Sequence, residues 1–482
     1  MIFRGYLFGI LYGLVCLVLA FVLYKLGLAK KYTRKVVHIL VGFEWVILYH
    51  FLGAGIHFLA VCIFFTLLLI VAHKGKLMPM ISSEGENSPG TVYYGVAMTG
   101  VATVGMFLPE IMLPFGIGIM CTSIGDGLAG VVGQLIANHN PKVYREKTLF
   151  GSIANLLASF ASALVLSALY GMGLNVWECL AIATLSLGLE LVVGHGLDNI
   201  AITWGVTAFA YLLMYHSTVL GYAVPILATP FVIAFVLEKR ALTGWGTVGA
   251  VLMDIIVSIA FGNFGFIILA SFFFGSVIVD KIKNRAKNRG RNDISAKGDH
   301  RDLVQVIANG LVPTVAACAF ILSDGNPVFA VAYVAALAEA LADTVASGLG
   351  VFSNGTFDVF RWRKCEKGIS GGMSVVGTVS ALVASALVPA LAVALTSSAF
   401  GFTYFWVAAV SAFLGTLVDS LLGSLIQVKY RCPVCSALTE RTEHCETKTE
   451  RASGLSFVDN DVVNVIGGFA SAILAIIILS LI

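Results

Sequence analysis

Apolar runs of about 20 residues, the length a helix needs to cross a bilayer, follow one another from one end of this 482-residue chain to the other. Hydrophobic residues make up 58% of the chain and charged residues 12%, too little polar surface to cover a soluble globule of this size. The expected fold is all-α, a polytopic integral membrane protein of about sixteen transmembrane helices in two parallel-repeat halves. The helices should start near residues 6, 36, 55, 92, 112, 149, 176, 198, 218, 243, 262, 303, 328, 372, 402 and 462. The first run, Tyr6 to Tyr24, has no small-residue cleavage site after it and reads as a retained span.

With the helices placed this way, the loops sort by charge. Every one of the 30 Lys and Arg residues except Arg4 falls on one face. The positive-inside rule makes that face cytoplasmic and puts both termini outside. The expectation is therefore a multi-pass protein of a prokaryotic cell membrane with its sites facing the cytoplasm. A net charge of +3 makes no case for nucleic-acid binding. The oligomeric state is not legible.

One pattern occurs twice. Asp126 stands inside an apolar run with Ala129 and Gly133 after it, followed by Glu146-Lys147 and then Gly151-Ser152. Asp343 has Ala346 and Gly350 after it, followed by Glu366-Lys367 and then Gly371-Gly372. Asp198-Asn199 follows Lys147 at nearly the distance at which Asp419-Ser420 follows Lys367. Both Asp-bearing helices should run inward, which makes the repeat parallel. The halves are expected to be domains 1–238 and 239–482.

The charged residues in these repeats carry the chemistry. A carboxylate at bilayer depth costs about 2.5–3.5 kcal/mol on insertion scales, so Asp126 needs a cation, a Lys partner or a water-filled cleft. Its glycines alone would be explained by close helix packing. Arg145, Lys147, Gly151 and Ser152 form a basic turn before a helix N-terminus, a place where phosphate binds. Glu190, His195, Asp198 and Asn199 return acidic and polar groups to the same face, as a Mg²⁺-nucleotide site requires. His38 and Glu44 are ionisable at a similar depth, but six residues apart they need not share a face.

Arg34-Lys35-x-x-His38, Gly125-Asp126-x-x-Ala129-x-x-x-Gly133, Lys147-Thr148-x-x-Gly151-Ser152 and Glu190 through Asp198-Asn199 resemble the dolichol kinase and phytol kinase family over roughly residues 30 to 215. Gln305-x-x-Ala308-Asn309-Gly310, Asp343-Thr344-x-Ala346-Ser347, Gly368-x-Ser370-Gly371-Gly372 and Asp459-Asn460-Asp461-x-x-Asn464 resemble the phytyl-phosphate kinase family over roughly residues 240 to 482. Gly348 departs from the second pattern, which has Glu there. The resemblance implies a fused bifunctional kinase. Its first half would convert a prenyl alcohol of the phytol, geranylgeraniol or farnesol type to the monophosphate, and its second half would make the diphosphate. Mg²⁺ and a nucleoside triphosphate are implied, with CTP favoured over UTP or ATP.

On that reading Asp126, Glu190 and Asp198 take Mg²⁺ or the hydroxyl proton, and Arg145, Lys147, Gly151 and Asn199 hold the donor. In the second half Asp343, Asp419, Asp459 and Asp461 take the acidic roles, with Asp343 and Asp461 on Mg²⁺. Lys367, Gly371 and Asn460 hold the donor there. Two other readings use the same groups. One is a CTP-dependent nucleotidyltransferase acting on a lipid phosphate. The other is a secondary transporter with Asp126 and Asp343 as coupling-ion sites.

Of nine cysteines only Cys432, Cys435 and Cys445 cluster. Cys432-x-x-Cys435 with His444-Cys445 resembles half a zinc site. Adjacent His444 and Cys445 are not expected to share one ion, so zinc and a reduced thiol cluster both remain open.

Overall fold

The structure, a computed structural model, describes residues 1–75, 89–136, 140–194, 196–287, 301–353, 355–365, 369–396 and 400–482. Lys367, His195 and much of the loops at Ser82 to Thr91 and Lys281 to Arg301 lie outside the described residues. The chain forms two compact units, Met1–Glu238 and Lys239–Ile482.

The first unit runs α1 (Ile2–Lys25), α2 (Lys30–Gly42), α3 (Glu44–Leu52), α4 (Ile56–Lys74), α5 (Gly90–Phe107), α6 (Met112–Met120) and α7 (Gly127–Leu135). A short antiparallel hairpin of β1 (Lys142–Tyr144) and β2 (Lys147–Thr148) follows. Then come α8 (Leu149–Tyr170), α9 (Val176–Val192), α10 (Asp198–Tyr215) and α11 (Ala223–Glu238). A π-helical turn, Cys121–Asp126, joins α6 to α7. Gly171, in the left-handed region at φ 62°, ends α8. Asn175 and Glu178 start α9 with a capping box.

The second unit runs α12 (Gly244–Lys287), α13 (Leu303–Leu322), α14 (Pro327–Gly350), the hairpin β3 (Thr356–Asp358) and β4 (Arg363–Cys365), α15 (Val375–Thr396) and α16 (Phe402–Leu425). Before the last helix the chain forms short strands β5 (Lys429–Arg431), β6 (Leu438–Thr439), β7 (Glu443–His444), β8 (Thr447–Lys448) and β9 (Glu450–Ser453). Strand β5 lies between β6 and β9, and β7 pairs with β8. Helix α17 (Asn460–Leu481) closes the unit. The body is helical, as expected, and among the described residues the β-structure is confined to connections.

Among the described residues, 12 helical segments are long and apolar enough to cross a membrane. Helices α5, α9 and α10 are outside that set. Helix α12 breaks at Gly262, φ 58°, where a side chain would be strained. Sixteen crossings are expected from sequence; twelve segments meet the length and apolarity that a crossing needs. The two most enclosed of the twelve are Pro109–Leu135 and Pro327–Gly350, each 72% buried. These are the segments that carry Asp126 and Asp343.

The repeat is visible as geometry within each unit. Each Asp-bearing helix is followed by a β-hairpin and then by a helix that crosses it at glycines. A Cβ on Gly151 would sit 2.9 Å from the Ala129 carbonyl oxygen, 3.0 Å from Thr148 Oγ1 and 3.5 Å from Gly133 Cα. A Cβ on Gly377 would sit 3.2 Å from the Ala346 carbonyl oxygen, 3.0 Å from Ser374 Oγ and 3.6 Å from Gly350 Cα. Gly151 therefore corresponds to Gly377 and Thr148 to Ser374. This corrects the register read from sequence, which paired Lys147 with Lys367: the counterpart of Lys147 is Met373. By element order α9 matches α16 and α10 matches α17. Asp419 thus answers to Glu190, and Asp459-Asn460-Asp461 answers to Asp198-Asn199.

A side chain at either crossing forces the helices apart at a cost of about 1–3 kcal/mol. Gly377→Leu should lower the apparent melting temperature of the detergent-solubilised protein, followed by tryptophan fluorescence. An unchanged melting curve would show that the crossing is not closely packed.

Candidate active sites

In the first unit the helices line a cavity of about 570 Å³. Leu17, Val41, Leu48, Phe65, Leu69 and Met98 line an apolar part. Lys35, His38, Asp126, Lys147, Glu190 and Asp198 line a charged part. Lys35 Nζ donates to Asp126 Oδ2 at 2.7 Å and to the Asp126 carbonyl at 3.2 Å. The Lys partner that Asp126 requires is thus supplied from α2, 91 residues away in sequence. His38 Nε2 lies 3.0 Å from the Thr122 carbonyl oxygen and 3.7 Å from Asp126 Oδ2. Thr122 belongs to the π-turn, whose wider backbone leaves carbonyls free for such contacts.

Across the same cavity Lys147 Nζ donates to Glu190 Oε1 at 2.6 Å. Burial works against the Lys147 charge, but the carboxylates of Glu190, Asp126 and Asp198 outweigh it, so its pKa lies above the usual lysine range. The Asn199 side chain donates to the carbonyls of Gly90 and Gly196, at 3.0 and 3.1 Å, and thereby fixes the entry of α10 beside Asp198. Glu190 Oε2 is buried without a hydrogen-bond partner. Arg145, at φ 48°, is exposed at the rim with its guanidinium 5.1 Å from the Tyr144 ring centroid. Helix α2 ends at Gly42 and α3 begins at Glu44, so His38 and Glu44 both reach the cavity despite their spacing.

The second unit collects carboxylates. Glu339 and Asp343 stand one turn apart on α14, and Asp419 comes from α16. Glu440, between β6 and β7, completes the group; the charges of Asp343, Asp419 and Glu440 act on one another, and those of Asp343 and Asp419 act on Glu339. Glu339 Oε1 and Asp419 Oδ2 are buried without hydrogen-bond partners. Glycines 415, 467 and 468 make room for the Glu339 side chain. Glu440 Oε1 accepts from Ser370 N at 3.1 Å and from the Ser370 hydroxyl, and Lys429 Nζ donates to the Ser370 carbonyl at 2.8 Å. Burial raises the Glu440 pKa above the usual carboxylate range, against the bonds from Ser370.

Residues 227–472 match the family described as integral membrane protein DUF92. The chain belongs to the DUF92 family. It is 29% identical over 183 residues to a phytol kinase of Synechocystis sp., covering 37% of this chain and 78% of the relative. It is 28% identical over 211 residues to an uncharacterised membrane protein of Methanocaldococcus jannaschii, covering 41% and 80%. It is 24% identical over 253 residues to the chloroplastic protein VTE6 of Arabidopsis thaliana, covering 51% and 68%. No solved structure matches.

Several DUF92 residues marked in the sequence have local roles. Gly371, at φ 84°, lies so close to α16 that a Cβ would run into the Ser424 backbone. Asp459 is exposed and caps α17 by accepting from Val462 N at 3.0 Å, and Asn460 Nδ2 donates to Asn464 Oδ1 at 3.4 Å. Asp461 is buried at the start of the same helix. A Cβ on Gly348 would run into Val279, so α12 occupies the space where the resembling family has Glu. Sequence reasoning missed Glu339 and Glu440. Glu339 carries the signal that marked Asp126, an acid in an apolar run; Glu440 sits in a polar loop and carries none.

Removing one member of a buried ion pair costs about 3–5 kcal/mol because the other is left uncompensated. Lys35→Met should therefore destabilise the protein strongly, and Lys35→Met with Asp126→Asn should recover most of the loss in thermal unfolding. Additive losses would show that the two residues do not interact.

Proposed function

We propose that this protein is a bifunctional isoprenoid-alcohol kinase. The first unit transfers a phosphoryl group from a nucleoside triphosphate, with CTP favoured, to a prenyl alcohol. The second unit phosphorylates the monophosphate. The observation that carries the reading is one cavity lined both by apolar side chains, which suit a prenyl chain, and by Lys35, Asp126, Lys147 and Glu190, which suit a phosphoryl donor. The likeness to a phytol kinase supports phosphoryl transfer as the reaction class.

The residues fit a divalent cation. Hard cations take carboxylate oxygens, and Glu190 Oε2 in one unit and Glu339 Oε1 and Asp419 Oδ2 in the other are buried acidic oxygens without hydrogen-bond partners. Bound Mg²⁺ would neutralise the donor phosphates and the charge that develops on them. Glu190 and Asp198 would hold it in the first unit, and Glu339, Asp343 and Asp419 in the second. Phosphoryl transfer needs positioning and charge neutralisation rather than covalent help from the protein. Lys147, charged throughout the physiological range, and Arg145 at the rim bind the donor phosphates. Lys35 holds the Asp126 carboxylate in place beside the substrate hydroxyl. A primary alcohol has a very high pKa, so Asp126 accepts its proton late in the transfer.

The test is an assay of the detergent-purified protein with geranylgeraniol or phytol, Mg²⁺ and each of CTP, UTP and ATP, resolving monophosphate from diphosphate. Wild type should make diphosphate. Asp126→Asn should lose roughly 10²-fold or more on the alcohol yet still convert supplied monophosphate. Asp419→Asn should stop at monophosphate. Loss of both steps in either variant would contradict two separate sites.

A further inference from the structure

Outside both charged clusters the chain gathers a group of side chains that the proposed reaction does not use. The sulfurs of Cys432, Cys435 and Cys445 and a ring nitrogen of His444 all lie within 4.8 Å of one another. We propose that these four residues bind one structural zinc ion, which fixes the loop that carries Glu440 into the carboxylate cluster of the second unit.

The separations suit a tetrahedral ion. With Zn–S near 2.3 Å and Zn–N near 2.0–2.1 Å, neighbouring ligand atoms stand about 3.5–3.8 Å apart. His444 Nδ1 lies 3.5 Å from Cys435 Sγ and 3.3 Å from Cys445 Sγ. Adjacent His444 and Cys445 are not expected from sequence to share an ion, yet the fold brings their ligand atoms together. The reason is the turn between β7 and β8. His444 pairs with Thr447, so Cys445 and Glu446 are the two central residues, with φ of 52° and 58°. Glycine or asparagine normally occupies such positions. In this turn they bring the Cys445 sulfur round to the His444 ring, and a metal bond offsets the strain of two left-handed residues.

The other two ligands sit on a second tight turn. Cys432 and Cys435 flank Pro433-Val434, the turn closes through Ser436 N donating to the Cys432 carbonyl at 2.9 Å, and Ser436 takes φ 56°. The Cys435 and Val434 N–H groups donate to the Cys432 sulfur. All nine cysteines are free thiols, so no disulfide competes for these sulfurs. Three soft thiolates and an imidazole within 4.8 Å of one another select zinc over harder divalent ions. Binding displaces the three thiol protons to solvent.

The loop between the two ligand turns carries Glu440, which holds Ser370 and stands beside Asp343 and Asp419. The positioning half of the inference rests on the kinase reading of the second unit; the metal half does not.

The experiment measures metal content of the full-length protein purified without chelator, by plasma mass spectrometry, together with a count of free thiols. About one zinc per chain is expected in wild type and in Cys318→Ser, whose cysteine lies on α13. Cys435→Ser and Cys445→Ser should each lower it about fivefold or more. Cobalt exchanged into wild type should show the intense d–d absorption of tetrahedral thiolate coordination, a readout that does not depend on any variant folding. A zinc-free wild type that also fails to give that spectrum, or a disulfide between Cys432 and Cys435 in the freshly purified protein, would overturn the site. Loss of monophosphate conversion in zinc-depleted protein, with alcohol phosphorylation retained, supports the positioning role. Retention of both activities after zinc loss would refute that role while leaving the metal site standing.

Discussion

An acidic side chain inside a membrane helix is tolerable only if something meets its charge, and in the first unit that partner is Lys35. The 2.7 Å contact between Lys35 Nζ and Asp126 Oδ2 ties α2 to the most enclosed segment of the unit. The pair lines one cavity together with the Lys147–Glu190 pair and with apolar side chains. Desolvating two such pairs is expensive, and hydrophobic packing would hold the helices together at lower cost. Their cost is accounted for by use: intramembrane ionisable groups mark the path or site of a polar ligand.

The second unit keeps the frame and changes the balance of charge. Its Asp-bearing helix crosses the next helix at Gly350 and Gly377 as Gly133 and Gly151 cross in the first. Where the first unit has Lys147 the second has Met373; it adds Glu339 and Glu440 to the acids, and the cations acting on the cluster, Lys283 and Lys429, come from α12 and β5. A prenyl monophosphate brings its own negative charge, so a site for it depends more heavily on bound cations than a site for a neutral alcohol. That shift agrees with the order of reactions proposed for the two units.

Much of the fold was legible because bilayer crossing imposes length and apolarity on each helix; starts expected near residues 149, 176, 198, 303 and 402 fall on helices beginning at Leu149, Val176, Asp198, Leu303 and Phe402. Asp126, Lys147, Glu190 and Asp198 were legible because a charge stands out in an apolar run, and the cavity gathers all four. Pairing was not legible, since nothing local joins Lys35 to a residue 91 positions away. The repeat register failed for a different reason. Glu-Lys dipeptides are easily matched, whereas the glycine crossing that sets the true equivalence shows only in three dimensions. Asp459 was chosen for its motif and serves as a helix cap, a common use of Asp at such a position.

If both units are kinases, the donor's terminal phosphoryl group reaches the lipid at each. The most direct measurement supplies prenyl alcohol and Mg²⁺ with CTP labelled at either the α- or the γ-phosphorus and follows the label into the extracted lipid. Two γ-labelled phosphates in the lipid diphosphate, with no α-label, are predicted. Lipid carrying α-label together with released pyrophosphate would contradict the claim and make the protein a nucleotidyltransferase.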